Sequence, residues 1–266
     1  MTARSTRPFD AWADDYDRYR PSYPDSLFDE IGSRLGVAPD ARVVDLGAGT
    51  GIATFAMARR GWRLTAVEPG AAMLDQLRQR AEADGLNVEA VEASAEETGL
   101  PDAAFDLATA AQAFHWFDRP RAVAEMARIV RPGGGMALFW NVRRAEASEV
   151  VADYERLIGR FFGDAGIGQY QQHGRAAEEA ATRAAFDGNP AWQELTYSEP
   201  RHEQTVDAET FIGMAFTASY VRRLDPDGQA RFRDELETLL AAHGVTDRPF
   251  TIPYRIDLWT ARRSDR

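Results

Sequence analysis

Apolar residues along the chain follow two spacings, which predict alternating strands and helices. Short apolar runs predict four strands, at residues 43–46, 63–68, 88–93 and 105–111. Apolar side chains then recur every three or four residues in a helix that begins near Ile52 and in another over residues 71–84. A helix after each of several strands predicts a parallel sheet with right-handed crossovers.

Turn and cap residues mark the later elements. Asp118, with Pro120 in the first turn, begins a helix that ends at Arg131-Pro132-Gly133-Gly134-Gly135. Further predicted elements are a fifth strand at residues 136–141, a helical region at 145–190, a sixth strand at 192–197, helices at 208–216 and 225–243, and a seventh strand at 251–261. The pattern predicts an α/β protein with a doubly wound, seven-stranded sheet.

We divide the chain into four parts on this basis. Residues 1–40 form a helical segment, 41–141 the core, 142–190 a helical insert, and 191–266 the part that completes the sheet. The chain has neither an internal repeat nor a low-complexity linker. One domain with an elaboration is therefore expected.

The first strand carries a carboxylate near its end and leads into a glycine-rich turn, in the sequence Asp45-Leu46-Gly47-Ala48-Gly49-Thr50-Gly51. Glycines at alternate positions let a bulky ligand approach the backbone, and the next helix directs its amino terminus at that ligand. A strand-turn-helix unit of this kind is typical of nucleotide or nucleoside sites. Its G-x-G-x-G spacing differs from the dinucleotide pattern G-x-G-x-x-G. An ordinary tight turn is the alternative explanation of the glycines alone.

Glu68 ends the second strand, about twenty residues after Gly47. From this position a carboxylate can accept hydrogen bonds from both hydroxyls of a ribose. A solvated acid at a strand end is the alternative, but the interval is that of a β-α-β unit. We therefore predict that Glu68 is a ribose ligand.

Composition and charge exclude several kinds of chemistry. The chain contains no cysteine and no lysine, so it has no thiolate nucleophile, no Schiff-base amine and no phosphate-loop lysine. Four histidines lack metal-binding spacings, and we predict no metal site; they are His115, His173, His202 and His243. A net charge of -11 disfavours a nucleic acid partner. Without an apolar run of ~20 residues or a signal peptide, we expect a cytoplasmic protein that does not contact membranes.

Residues 41–141, from VVDLGAGTG through AVEPG to RPGGG, resemble the core of the class I S-adenosylmethionine-dependent methyltransferases. The resemblance implies that S-adenosylmethionine is the cofactor and that the last strand is antiparallel. It implies cofactor contacts from Tyr16, Arg20, Asp45, Gly47, Ala48, Gly49, Gly51, Glu68, Pro69, Met73, Ser94, Ala95, Glu96 and Gln112.

Two further segments resemble a subgroup that includes trans-aconitate methyltransferase-like enzymes. They are the AQAFHWF run at residues 111–117 and the YDxYRPSYP opening at residues 16–24. The first implies that Gln112 lies beside the cofactor and that His115 lies near the transferred methyl as a catalytic residue, where it contacts the substrate or acts as a base. A histidine among aromatics is as typical of structural packing. The second implies a lid over the cofactor, with an amphipathic helix packed on the sheet as the alternative.

A small molecule is the methyl acceptor that this resemblance favours. A carboxylate is one class of acceptor, with Arg20, Arg143 or Arg144 as anchors, and O-, N- or C-methylation in secondary metabolism fits as well. The substrate candidates are Tyr19, Trp116, Asn141, Arg143 and Tyr220. A cyclising lyase that uses S-adenosylmethionine, a regulatory binding protein and, remotely, an NAD-dependent oxidoreductase are the alternatives. We expect a monomer or a homodimer.

Overall fold

The computed structural model of the protein describes residues 19–163 and 174–265. Its elements are α1 (Asp25–Leu35), β1 (Arg42–Leu46), α2 (Ile52–Ala58), β2 (Arg63–Val67), α3 (Ala71–Ala83), β3 (Val88–Val91), β4 (Phe105–Ala111), α4 (Arg119–Ile129), β5 (Val130–Arg143), α5 (Glu149–Phe162), α6 (Gly174–Phe186), β6 (Trp192–Ser198), β7 (Arg201–Val206), α7 (Ala208–Phe216), α8 (Ser219–Arg222), α9 (Pro226–Ala242) and β8 (Phe250–Arg263). Short 3-10 turns lie at Phe114–Trp116 and Ala145–Ala147.

One mostly parallel sheet contains all the strands of the described ranges. The order is β3-β2-β1-β4-β5-β8, and β6 and β7 pair with successive halves of β8 at the far edge. Strands β1 to β5 are parallel, and β8 is antiparallel to β5. The predicted α/β fold with an antiparallel last strand is confirmed.

Strand β7 corrects the predicted number of strands from seven to eight. Its sequence, Arg201–Val206, is almost entirely polar, and only Val206 is buried. No apolar run therefore marks it, and its strand conformation comes from pairing with residues 250–255 of β8. Strand β5 also begins six residues earlier than predicted, because Val130 pairs with Phe105 before a register shift at the glycine run.

Helices cover both faces of the sheet. On one face, Leu27, Phe28 and Ile31 of α1 pack with Met57 of α2 against β1, β5 and β8. On the other face, α4 and the end of α6 pack against Val44, Leu138 and other sheet residues. The two faces of the parallel strands are therefore buried, as doubly wound sheets require.

Helices α5, α7, α8 and α9 form a third apolar cluster, which we call the cap. Its centre includes Phe211 and Phe232, and it rests on Val206, Ile252 and Tyr254 of β7 and β8. Tyr254 is paired with the last residue of β5, so the cap lies at the carboxyl end of the parallel strands. No helix within the described ranges is long and apolar enough to cross a bilayer.

Candidate active site

A cavity of about 390 Å³ opens at the carboxyl ends of β1, β2 and β4. Ligands of doubly wound sheets bind in this crevice, because the loops that follow the parallel strands converge there. The lining residues are Arg20, Pro21, Tyr23, Gly47, Ala48, Gly49, Thr50, Ile52, Ala53, Glu68, Pro69, Gly70, Met73, Ser94, Ala95, Glu96, Ala111, Gln112, Ala113, Trp116, Phe117 and Arg223. The cavity is within the usual size range of small-molecule sites.

The glycine turn between β1 and α2 forms one wall of this cavity. Gly47, Gly49 and Gly51 all have positive φ angles, of +68°, +58° and +91°. An added Cβ at Gly49 would meet no atom within 4 Å. Gly49 therefore leaves open space beside the backbone. The adjacent Thr50 is buried, and its hydroxyl has no hydrogen-bond partner in the described structure.

Glu68 links the ends of β1 and β2. One carboxylate oxygen accepts a hydrogen bond from the Gly49 backbone N–H at 3.0 Å, and the other accepts from the Gly70 N–H at 2.8 Å. Glu68 thus fixes the glycine turn, and it is among the residues that line the cavity.

Asp45 is buried beneath the turn. Its carboxylate accepts hydrogen bonds from the hydroxyls of Thr54 at 2.6 Å and Thr109 at 2.9 Å. Burial raises the pKa of Asp45 to about 6, against the lowering effect of these hydrogen bonds. Asp45 therefore connects β1 to α2 and β4 and is not among the residues that line the cavity.

Gln112 and His115 lie in the loop that follows β4. Gln112 lines the cavity with a positive φ of +54°, an unusual conformation for a residue with a side chain. Its amide donates to the Asn141 carbonyl at 3.1 Å. His115 Nδ1 accepts from the buried Trp140 indole N–H at 3.1 Å, and its ring lies beside that of Trp116. Burial, with a contribution from Arg119, lowers the pKa of His115 to about 4, so its ring is neutral at pH 7.

Comparisons with known proteins identify the family of this chain. The model of the methyltransferase domain matches residues 44–138, which span the glycine turn and Glu68. An uncharacterized methyltransferase of Mycobacterium bovis is 33% identical over 237 residues, covering 86% of this chain and 83% of the relative. The chain belongs to the methyltransferase family.

Two other proteins resemble this methyltransferase. A solved structure from Anaeromyxobacter dehalogenans, described as a proposed type II methyltransferase, has a TM-score of 0.65 and 30% identity, covering 93% of this chain and 100% of that one. Malonyl-[acyl-carrier protein] O-methyltransferase of Serratia marcescens is 33% identical over 135 residues, covering 49% of this chain and 51% of the relative.

Most of the cofactor candidates of the methyltransferase line one cavity. Those are Arg20, Gly47, Ala48, Gly49, Glu68, Pro69, Met73, Ser94, Ala95, Glu96 and Gln112, together with the substrate candidate Trp116. Asp45, Gly51 and His115 are not among the lining residues, and Tyr16 lies outside the described residues.

The remaining substrate candidates of the methyltransferase are not among the residues that line this cavity. Asn141 contacts the segment before α1, while Tyr19 borders a second cavity among the cap helices. Arg143 stacks on Tyr154, 5.0 Å from the ring centroid, and Tyr220 packs against Phe162 in the cap. Arg144, the third candidate anchor, is paired with Glu146 at 2.9 Å.

Several residues that line the cavity of the methyltransferase were not among the predicted site residues. Tyr23, Phe117 and Arg223 come from three loops that are distant in the chain. Tyr23 belongs to the segment with the YDxYRPSYP resemblance, and Phe117 belongs to the AQAFHWF run. Arg223 follows α8 in a region without a transferable motif, so only the position of the cap identifies it.

Proposed function

We propose that this methyltransferase takes its methyl group from S-adenosylmethionine and transfers it to a small organic acid. The observation that carries the proposal is one cavity with a carboxylate and two arginines on different sides. Glu68 directly follows β2, whereas Arg20 is hydrogen-bonded to Thr217 of the cap and Arg223 follows the cap helix α8.

The β1–β2 side of the cavity has the chemistry that the donor requires. Glu68 would accept hydrogen bonds from the ribose hydroxyls, and Ser94, Ala95 and Glu96 would contact the adenine edge, as the resemblance implies. Gly49 leaves room beside the backbone, and the Thr50 hydroxyl, which has no hydrogen-bond partner among the described residues, offers a further polar contact. S-Adenosylmethionine supplies a methyl group that its sulfonium already activates.

The cap side of the cavity suits an anionic acceptor. The planar guanidinium groups of Arg20 and Arg223 match the geometry of a carboxylate. A carboxylate is deprotonated at neutral pH and needs no general base. A carboxylate acceptor is compatible with the low pKa of His115 and with the hydrogen bond that His115 accepts from Trp140. A role for His115 as a base stays a prediction.

One relative adds support for acid methylation. The Serratia marcescens protein is named for O-methylation of a malonyl group on an acyl-carrier protein, and it matches about half of this chain. Membership of the trans-aconitate methyltransferase-like subgroup stays a prediction. The chain's own part in catalysis is mainly to hold acceptor and methyl group in line and exclude water, and such positioning supplies ~7–11 kcal/mol of a barrier.

Calorimetric titration tests whether S-adenosylmethionine is the methyl donor. We expect S-adenosylmethionine and S-adenosylhomocysteine to bind the wild type and NAD not to bind. Glu68→Ala removes the acceptor for the ribose hydroxyls, and charged hydrogen bonds of this kind predict a rise in Kd of about 10- to 100-fold. Glu89→Ala, on the neighbouring strand β3, is the matched control and should bind like wild type. Equal binding by Glu68→Ala would contradict the assignment.

A panel of candidate acceptors tests whether the methyl acceptor is a carboxylic acid. We expect mass spectrometry to find a gain of one methyl group on a carboxylic acid and none on matched alcohols or amines. Arg223→Ala should raise the Michaelis constant for that acid while leaving S-adenosylhomocysteine affinity unchanged. Methylation of the alcohols or amines alone would overturn the acid acceptor, and a cyclised product without an added methyl would favour the lyase alternative.

A further inference from the structure

A chain of hydrogen bonds joins the edge strand β7 to the segment that precedes α1. His202 Nε2 lies 2.8 Å from Asn141 Oδ1, and Asn141 Nδ2 donates to the Ser22 carbonyl at 3.1 Å. Asn141 also receives the Gln112 amide at its backbone carbonyl. The connection runs from the far edge of the sheet to the neighbourhood of the cavity.

The direction of these bonds fixes the state of His202. Because the Asn141 amide nitrogen donates to Ser22, its oxygen is the acceptor for the ring, and His202 Nε2 must carry a proton. Burial lowers the pKa of His202, so the neutral ring with Nε2–H is the form at pH 7. The ring also stacks on the buried Tyr254, with centroids 5.0 Å apart and planes 12° apart. Stacking and hydrogen bonding together leave His202 one orientation.

The segment at the end of this chain of bonds forms part of the cavity wall. Arg20, Pro21 and Tyr23 all line the cavity, and Ser22 lies between them. Tyr23 packs edge-on against Phe139 at 4.9 Å, and Arg20 donates to the Thr217 carbonyl at 3.2 Å. The Asn141–Ser22 bond ties the backbone of this wall directly to the end of β5.

We propose that His202 is a positioning residue. It acts through Asn141 to hold residues 20–23 in place at the wall of the cavity. Its functional consequence rests on the proposed function, because Arg20, Pro21 and Tyr23 line the cavity in which S-adenosylmethionine would bind beside the acceptor. Loss of the His202 hydrogen bond leaves the Asn141 amide free to rotate, and the Ser22 carbonyl then loses a fixed donor. The wall becomes more mobile, and ordering it on binding costs affinity.

Hydrogen exchange on the ligand-free protein tests whether His202 and Asn141 hold residues 20–23 in place. We expect His202→Ala to increase exchange several-fold in a peptide that spans residues 19–30, where the Leu27 N–H donates to the Pro24 carbonyl at the start of α1, and Asn141→Ala to do the same. His202→Gln should restore protection, because its amide N–H can donate to Asn141 Oδ1. His243→Ala is the matched control, since His243 makes a 2.8 Å bond to Asp153 away from the cavity and should leave this peptide unchanged.

Calorimetry with S-adenosylhomocysteine tests the consequence. Loss of one hydrogen bond predicts a rise in Kd of about 3- to 10-fold for His202→Ala. If the residue acts through Asn141, adding His202→Ala to Asn141→Ala should have no further effect. A His202→Ala protein with wild-type exchange and affinity, additive losses in the double variant, or failure of His202→Gln to rescue would overturn the proposal.

The two proposals fail in different ways. If S-adenosylhomocysteine does not bind the wild type, S-adenosylmethionine is not the methyl donor, and the proposed consequence for affinity fails with it. The exchange pattern would still support the positioning of Ser22 by His202 and Asn141. If the wild type binds but exchange is unchanged in His202→Ala, the positioning role is refuted and the proposed methyl donor is not.

Discussion

At the scale of single residues, the three glycines of the turn have different physical reasons. Only Gly49 leaves open space, whereas a Cβ at Gly51 would lie 2.6 Å from Phe55 and one at Gly47 would lie 2.7 Å from the Cβ of Ala113. Gly47 and Gly51 are therefore needed for packing as well as for their positive φ angles. Access of a ligand to the backbone is the reason predicted from the sequence for all three glycines, and it holds in this form for Gly49 alone.

Alanine substitutions separate these reasons. Gly49→Ala should cost ~1–2 kcal/mol of stability from its left-handed backbone, while its methyl group enters the cavity and weakens S-adenosylhomocysteine binding. Gly51→Ala should cost more, because the fully buried Phe55 must also move. Urea unfolding and calorimetry measure the two effects. Equal stability losses, or a Gly49→Ala protein with undiminished binding, would contradict this division.

The buried acid Asp45 makes stability depend on pH. Its pKa of about 6 in the folded protein exceeds the ordinary 3.8. Between these values the folded state binds more protons than the unfolded state, so the Asp45 contribution to stability falls as pH rises from about 4 to 6 and stays low above.

An amide at this position removes that dependence. The free energy of unfolding of Asp45→Asn, relative to wild type, should increase by ~1–3 kcal/mol between pH 4.5 and pH 8. Urea unfolding at the two pH values gives this difference, and Asp75→Asn on the exposed side of α3 is the control. A relative stability that stays constant with pH would show that Asp45 is not the group responsible.

At the scale of elements, apolar periodicity predicted the strands and helices that bury an apolar face. Strand β4 and helix α7 have the predicted bounds, and Asp118 caps α4 by accepting the Arg121 N–H. Strand β7 has no apolar face, since only Val206 of its residues is buried, and apolar periodicity therefore does not predict it. The strand nevertheless carries His202. Apolar periodicity therefore could not predict the hydrogen bonds that join His202 through Asn141 to Ser22.

At the scale of the whole molecule, one strand unites the sheet with the cap. The carboxyl half of β8 pairs with β5 and β6 in the sheet, whereas Ile252 and Tyr254 in its amino half belong to the cap cluster. Neither unit can keep its core if β8 leaves. Sheet and cap are therefore expected to unfold together.

Phe232→Ala tests this coupling. The ring is fully buried in α9 among Phe161, Phe162 and Phe216, and its removal should cost ~3–5 kcal/mol. Trp140 and Trp259 lie in the sheet, so their fluorescence should change at the same lowered temperature as the calorimetric transition. Arg231→Ala on the same helix is the control. A cap transition that precedes the tryptophan transition would refute the coupling.

The sequence by itself determined the order of elements, the mostly parallel sheet and the set of loops that form the cavity. It could do so because burial periodicity, turn glycines and helix caps act over a few residues, and because the carboxyl ends of parallel strands must meet. Tertiary structure alone decided which side chains face the cavity. It brought Arg223 and Tyr23 to the wall, turned His115 towards Trp140, and buried Asp45, because those outcomes depend on packing between segments that are distant in the chain.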